Sequence, residues 1–455
     1  MQTAITAKVK LGYNASEKQI LRATLTKARA AHNDISLWAF HNGKCTNYMT
    51  MYVACADYLR ETYGMTAQMT QSICQEVASK YKAQWTKLRQ HQENLKAGRT
   101  KKKYKGLDNP IKFTSANVPY QFKRDYSLPK HGFARIKVLE GENGSIVLPY
   151  EGYNKHTTLI LWGSQANVKL GTAQLWYSKP KKQFYLLISL TLSLPDIQAK
   201  EIKNIVGVDH GVRRKMVAGA IDNQTFFTSK GGAIQHKKDQ MTNKRAELQK
   251  KGTRGAKRRL VAMSRRERRM MNDVDHKDAR KVVKRFPKSL FVREELTHIR
   301  ERTNRHHSKK ASTKQRTANR RQSQWGFANQ QAVMNHQAIM HGSVTTKADA
   351  NNTSKGCINC GHTTDRNRPN KGLIFRCEAC GYEIHADLSG GRSLGMRGVV
   401  IWQDWVTTGT LSTGPNDERK FAKDVTSSEA KAARLKKYAE LRWSSVTSPY
   451  ALAMG

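Results

Sequence analysis

The sequence predicts a multidomain α+β protein. A domain of short strands, a small barrel or a sandwich, comes first with a long helical stretch after its first strand, and a sheet domain interrupted by a small cysteine-bearing insert follows. Three observations carry this. Short apolar strands with turn residues recur between about 133 and 195, behind a long helical stretch. Two later apolar strands each end in acids, at Asp209 and at Glu294-Glu295. Two CxxC pairs then precede a further acid, Asp387. At roughly 150 residues per domain, the 455-residue length fits two to four domains.

Ile5, Ala7, Val9 and Leu11 alternate as on a half-buried strand. Ser16 and Gln19 carry the spacing of a capping box, so a helix is expected from there, with Ile20, Ala23, Ala31, Ile35 and Trp38 on one face. A second helix is expected over 66–96, with Ile73, Val77, Tyr81 and Leu88 aligned. A basic loop, 96–105, follows it; Lys101, Lys102 and Lys103 beside Tyr104 suit phosphate contact. Strands are expected at 135–139, 145–148, 158–162, 173–177 and 184–190, with a hairpin turn at Lys179-Pro-Lys-Lys182. The domains are placed at 1–15 (first barrel strand), 16–115 (helical insertion) and 116–200 (barrel). The sheet domain follows at 201–350, the cysteine insert at 351–384, the last sheet-domain segment at 385–397, and a partly unstructured tail without assigned role at 398–455.

Charge narrows the partner. Lys and Arg number 81 against 35 Asp and Glu, a formal net of +46. Such a surface repels itself unless a polyanion neutralises it, and nucleic acid releases counterions on doing so. A ribosome-like structural role or an anionic membrane surface are the rivals. The excess is concentrated in 237–285, expected helical, which holds 19 Lys/Arg and 6 Asp/Glu. Its blocks Lys257-Arg258-Arg259 and Arg265-Arg266-Glu267-Arg268-Arg269 are too dense to be satisfied by pairing along a helix and are candidate backbone contacts. Arg300–Arg321, with His306-His307, is read as solvent-facing phosphate contact. The helix around Trp325-Gly-Phe327 to Val333 is read as packing an aromatic stripe on the sheet. No apolar run reaches the length of a membrane helix, and Met1–Gly12 lacks the pattern of a secretory signal. A cytoplasmic, nucleoid-associated protein without membrane association is expected.

Cys357-Ile-Asn-Cys360 and Cys377-Glu-Ala-Cys380 are 16 residues apart, and glycine follows each pair. That spacing fits a four-cysteine zinc ribbon, and four thiolates leave no open position, so the metal is expected to be structural. Cys45, Cys55 and Cys74 are read as ordinary buried thiols. Asp209 closes the apolar strand Ile205–Val208, and an acid there is costly unless paired or bound to metal. Ser289–Val292 delivers Glu294 and Glu295, which must point to opposite faces, and Glu294 is taken as the one facing Asp209. Asp387 opens a helix.

Gly-Val-Asp-His-Gly211, Glu-Glu-Leu296, Thr-Ser-Lys-Gly-Cys-Ile-Asn-Cys-Gly361, Phe-Arg-Cys-Glu-Ala-Cys-Gly381 and His-Ala-Asp387, with Asn367-Arg368 between the pairs, resemble in order and spacing the TnpB family. These are transposon-encoded relatives of type V CRISPR nucleases. The resemblance covers about 203–396. It implies an RNase H-like, RuvC-type domain with Asp209, Glu294 and Asp387 as its three acids, holding catalytic Mg2+, expected as two ions. It further implies an RNA-guided DNA endonuclease whose partners are a guide RNA and double-stranded target DNA carrying a short adjacent motif. One protein per RNA is expected, with a dimer left open. The chain departs from the family in reading Asp-Leu-Ser-Gly-Gly-Arg-Ser393 after the last acid, and in placing His210 where an apolar residue is usual. The alternatives are a compact type V effector, a nuclease-dead RNA-guided repressor, a zinc-ribbon RNA-binding protein and a strand-joining transposase. Retention of all three acids speaks against the second.

Overall fold

A computed structural model describes the chain apart from residues 99, 116, 142–143, 165–166, 213, 222–224, 297–298, 300–311, 370–372, 416–426 and 443–455. His306-His307 and much of the tail lie outside the described residues. The chain divides into two compact units, 2–193 and 194–455, with Met1 joining the second.

In the first unit, β1 (Gln2–Leu11) leads into α1 (Ala15–His41), α2 (Tyr48–Tyr63) and α3 (Ala67–Lys96). The chain then returns to strands β2 (Asn117–Tyr120), β3 (Tyr126–Lys130), β4 (Phe133–Lys137), β5 (Ser145–Gly152), β6 (Val168–Ser178) and β7 (Gln183–Ser193). These form one seven-stranded sheet in the order β2-β6-β7-β1-β5-β4-β3. It curls until the Tyr126 hydroxyl of β3 donates to the Gly171 carbonyl of β6 at 2.7 Å, which nearly closes a barrel. The alternation read for β1 holds: Ala7, Val9 and Leu11 are buried and the residues between them exposed.

Local chemistry departed from the sequence reading in several places. The helix start is capped by Asn14, whose side chain accepts from Glu17 N while Glu17 reaches back, so the capping box lies two residues before Ser16 and Gln19. Residues 158–162 are not a strand. They finish α4 (Asn154–Leu161), where Thr157 and Thr158 hydroxyls both bond back to the Asn154 carbonyl, a local bond that β-branched content alone does not reveal. Cys45 is only half-buried, unlike Cys55 and Cys74.

The second unit is organised by a five-stranded sheet in the order β10-β9-β8-β11-β12, from β8 (Asn204–Asp209), β9 (Val217–Ala220), β10 (Phe226–Thr228), β11 (Ser289–Glu294) and β12 (Val344–Ala348). The first three strands form an antiparallel meander; β11 lies parallel to β8 and to β12. Between β10 and β11 come the basic helices α5 (Gly232–Lys251), α6 (Arg254–Met263) and α7 (Arg266–Arg285). Between β11 and β12 lie α8 (Thr313–Ser323) and α9 (Phe327–Met340). After β12 the chain forms the small hairpin β13 (Ile374–Arg376) and β14 (Glu383–His385), then α10 (Ala386–Thr408) and α11 (Ser427–Glu440).

Two layers cover the sheet. Val206, Val208 and Phe291 face Val282 of α7 and Val333, Met334 and Ala338 of α9. The aromatic stripe expected there is absent from that core: Trp325 and Phe327 are half-buried, and aliphatic residues one and two turns later do the packing. On the other face Ile205, Leu290 and Val292 pack on Leu394, Met396, Trp402 and Trp405 of α10. That helix runs past residue 397, so the two tryptophans expected in an unassigned tail are core residues. Its fit against β8 requires glycine. A Cβ on Gly207 would meet the carbonyl oxygen of Gly391 and the amide of Gly395, with the Gly391 carbonyl carbon at 2.9 Å.

Candidate nuclease and zinc sites

Side chains alternate along a strand, so the packing fixes which residues share a layer. Ile205, Gly207 and Val292 face α10; the same alternation puts Asp209, two residues after Gly207, and Glu294, two after Val292, on that face. Val208 is registered with Arg293, which sets these two acids side by side at the carboxyl ends of adjacent parallel strands. In open sheets with parallel strands that edge is where ligands bind. Asp387 lies in the first turn of α10. One turn later, a Cβ on Gly390 would stand 3.4 Å from Asp209 Oδ2, so the start of this helix sits over Asp209. Glu295 takes the opposite face and pairs with Lys347 at 3.2 Å.

The electrostatics of the three acids are unfavourable as they stand. Burial, then the like charges of Glu294 and Asp387, push the Asp209 carboxyl far above the ordinary carboxylate range. Glu294 is raised by burial and held down by the Thr353 hydroxyl, which donates to its Oε1 at 2.6 Å, and by Arg397 nearby. Arg214 lies 3.7 Å from Asp387. His210 is buried, and desolvation together with Arg293 pushes it down to about 3, so it is neutral. A crowd of hard oxygen donors carrying too much negative charge is the donor set that Mg2+ suits. The carboxylates are not drawn into one tight ligand cluster; among the described residues that description belongs to the cysteines.

Sulfur atoms of Cys357, Cys360, Cys377 and Cys380 all lie within 4.8 Å of one another, a set compatible with structural zinc. Each CxxC closes a knuckle in which the following glycine, at φ 82° for Gly361 and 70° for Gly381, donates back to the first cysteine's carbonyl. Positive φ of this kind favours glycine. Asn367, fully buried, ties the knuckles together: it donates to the Lys355 and His362 carbonyls and accepts from the Glu378 amide. Phe375 packs beneath the sulfurs.

Several contributors were not read from the sequence. Thr353 reaches Glu294 from the turn after β12, and nothing in its sequence context marks it. That turn is held from behind. The Arg397 guanidinium donates to the carbonyls of Asp349 and Asn351, the Tyr438 ring of α11 lies 4.9 Å beneath it, and Arg434 pairs with Asp349 at 3.0 Å. The glycines 391, 395 and 398 fall at helical spacing and could have been recognised as a close-packing face.

The basic candidates occupy exposed positions: Lys101, Lys102 and Lys103 after α3, Lys257, Arg258 and Arg259 on α6, and Arg265, Arg266, Arg268 and Arg269 at the start of α7. Tyr104 does not project with the lysines; its hydroxyl packs back on Gln84. Among the described residues, no helix is long and apolar enough to cross a membrane.

Comparison with known proteins agrees in outline. A family model described as Cas12f1-like, TNB domain matches residues 327–394. The chain is 23% identical over 240 residues to the CRISPR-associated endodeoxyribonuclease Cas12f1 of Sulfoacidibacillus thermotolerans, an alignment covering 50% of this chain and 53% of that protein. It therefore spans about half the length of the curated relative it matches. The cryo-EM structure of the Cas12f1-sgRNA-target DNA complex superposes on 84% of this chain and 83% of that one, with a TM-score of 0.57 and 16% identity. The structure of the mini-RNA-guided endonuclease CRISPR-Cas_phi3 aligns more loosely, at 85% and 91% coverage, 9% identity and a TM-score of 0.46. The chain thus shares its fold with a Cas12f1 structure, and the family model covers the segment from α9 through the cysteine insert to the start of α10.

Proposed function

We propose that this protein is an RNA-guided DNA endonuclease of the compact kind to which TnpB and Cas12f1 belong, with one RuvC-type, RNase H-like site. The observation that carries it is the placing of Asp209 and Glu294 side by side at the carboxyl ends of β8 and β11, with Asp387 in the first turn of the helix that starts over Asp209 and a four-thiolate cluster inserted before it. The +46 charge suits a protein holding a guide RNA and target DNA together, and the solved neighbour is a complex of that kind.

Asp209, Glu294 and Asp387 would hold Mg2+. When bound, it would polarise the scissile phosphate and lower the pKa of a bound water, so that the water gives up a proton and the resulting hydroxide is the nucleophile. Glu294 is held at one rotamer by Thr353 Oγ1, leaving its other oxygen for the site. Arg214, beside Asp387, is placed to neutralise phosphate charge at the sheet edge. The cysteine ribbon stays outside the chemistry and fixes where α10, and so Asp387, begins. The alternative kept from the sequence, a nuclease-dead RNA-guided repressor, gains no support from a site that retains all its acids.

The test is cleavage of a matched duplex by protein purified with its own RNA, in Mg2+. Wild type should cut. Asp209→Ala should lose cutting by at least about a thousandfold while target binding stays within a few fold, because phosphate contacts elsewhere supply the affinity. Undiminished cutting by that variant would overturn the assignment.

A further inference from the structure

Helices α5 and α7, the end of α8 and the start of α9 line a cavity of about 410 Å³ that the catalytic proposal does not use. Its rim begins at Gly211 and Val212, the residues that follow the Asp209-His210 pair, so it adjoins the sheet edge carrying the acids. Its lining is a compact argument for an anionic aromatic ligand. Six cations contribute (Lys215, Lys238, Arg245, Arg265, Arg268 and Arg321) against Glu267 and Asp275, a net of +4.

Pairing removes only part of that charge. Lys215 is 2.5 Å from Asp275, Arg245 is 2.8 Å from Glu267, and Arg321 is 2.9 Å from Asp239. Lys238, Arg265 and Arg268 have no ion pair among the described residues. Lys238 is the telling one. Only 7% of it is exposed, and its ammonium reaches a single carbonyl, that of Gln324, at 3.5 Å. Glu267, Asp239 and Asp275 lie near enough to favour its charge, but each is already paired with another cation, and an anion in the cavity would add the direct contact that the ammonium lacks. One wall is Trp325, half-buried, with its indole N–H fixed by Gln330 Oε1 at 3.0 Å. That bond and a tilted contact with the Phe327 ring, centroids 5.5 Å apart, orient the indole at the cavity wall. Arg265 enters α7 from the left-handed region, at φ 59°, a conformation uncommon for a residue with a Cβ.

We infer that this cavity seats one unpaired nucleotide of the DNA strand approaching the acids, its base on Trp325 and its phosphate among Lys238, Arg265 and Arg268. The volume suits a mononucleotide; a duplex does not enter it. The arginine block thereby divides in function. Arg265 and Arg268 line the cavity, whereas Arg266 and Arg269 do not and remain available to a nucleic-acid backbone outside. The assignment to DNA rests on the nuclease reading; the existence of a nucleotide site does not.

Calorimetric titration of the full-length protein with deoxyadenosine 5′-monophosphate and with deoxyadenosine tests the site directly. The nucleotide should bind at one per chain and the nucleoside at least about tenfold more weakly, since the phosphate contacts are charge-assisted. Arg265→Gln/Arg268→Gln should weaken the nucleotide about tenfold. Trp325→Leu should cost about tenfold as well, and Trp325→Phe should restore most of it, because stacking needs only a ring. Arg266→Gln/Arg269→Gln should leave nucleotide affinity in place while lowering affinity for long RNA. Equal binding of nucleotide and nucleoside, or indifference to the Arg265/Arg268 and Trp325 changes, overturns the site. Photocrosslinking with single-stranded DNA carrying 5-iodo-deoxyuridine should label the Trp325 peptide; labelling by 5-iodouridine RNA alone overturns the assignment to DNA. Failure of the pocket with guided cleavage intact leaves the nuclease reading standing. Nucleotide binding by a protein that cuts no DNA removes the nuclease reading instead.

Discussion

Replacing Gly207 by alanine probes how the second unit is built. Glycine here lets α10 lie directly on β8, and the added Cβ would come 2.9 Å from the Gly391 carbonyl carbon, with the Gly391 oxygen and Gly395 amide nearer still. Ordinary contact begins at 3.4 Å, so the helix must retreat by at least about 0.5 Å from the carbon alone, and no side-chain rotation relieves backbone against backbone. Overpacking a core commonly costs 1–3 kcal/mol; with helix backbone as the obstacle, about 3 kcal/mol is expected here. In a unit the size of 194–455, that corresponds to a fall in melting temperature of about 6–12 °C. Calorimetry of wild type, Gly207→Ala and Gly255→Ala measures it. Gly255 lies inside α6 with open space around a Cβ, so alanine there should be neutral or stabilising by about 0.5–1 kcal/mol. Cleavage should fall in Gly207→Ala even below its melting point, because the retreating helix carries Asp387 away from Asp209. A Gly207→Ala protein melting within about 1 °C of wild type would refute the close-packing argument.

The neighbouring glutamates should behave oppositely: Glu294→Ala abolishes cleavage, and Glu295→Ala, which breaks only the half-exposed pair with Lys347, keeps it within a few fold and costs under about 1 kcal/mol of stability; a cutting assay on both variants in parallel decides. Zinc should be present at one per chain by metal analysis, and Cys377→Ser should release it and unfold the insert, whose folding draws on a site worth on the order of 10 kcal/mol in isolated peptides; a metal-free, folded wild type refutes this. Neutralising Arg266 and Arg269 together should flatten the dependence of log affinity for RNA on log salt by up to about 2 × 0.7 for single-stranded contacts, measured by filter binding over a salt series; an unchanged slope means that these two side chains face solvent.

Where periodicity spans a whole element, the sequence was readable. The alternation of β1, the acids at the ends of β8 and β11, and the spacing of the cysteines all follow from side-chain direction or ligand geometry, and they need no knowledge of the partner strand. Local competitions were not readable. Asn14 and Ser16 are both good caps, and only the backbone shows that Asn14 and Glu17 complete the reciprocal pair. Thr157-Thr158 reads as strand until the hydroxyls are seen bonding to Asn154. The longest-range features were least accessible. Thr353 meets Glu294 across 59 positions, and Ser389-Gly-Gly391, which the sequence shows only as a departure from the family pattern, is the seat on which α10 touches β8.

The cysteine insert also has a polymer-physics consequence. Asp387 is tethered to β12 by the excursion 349–385, and a flexible loop of that length imposes a closure cost that rises with the logarithm of its length. Zinc held by the four thiolates would join Cys357 to Cys380 and so remove most of the excursion from that count. Only the short legs 349–356 and 381–386 are left to fluctuate, and each halving of the effective loop is worth about 0.6 kcal/mol. The second leg is itself paired in β14. Such a cross-link, itself without catalytic chemistry, would govern how narrowly a carboxylate several residues away is confined, and stripping the metal would broaden the distribution of positions Asp387 samples before it lowered any average helix content.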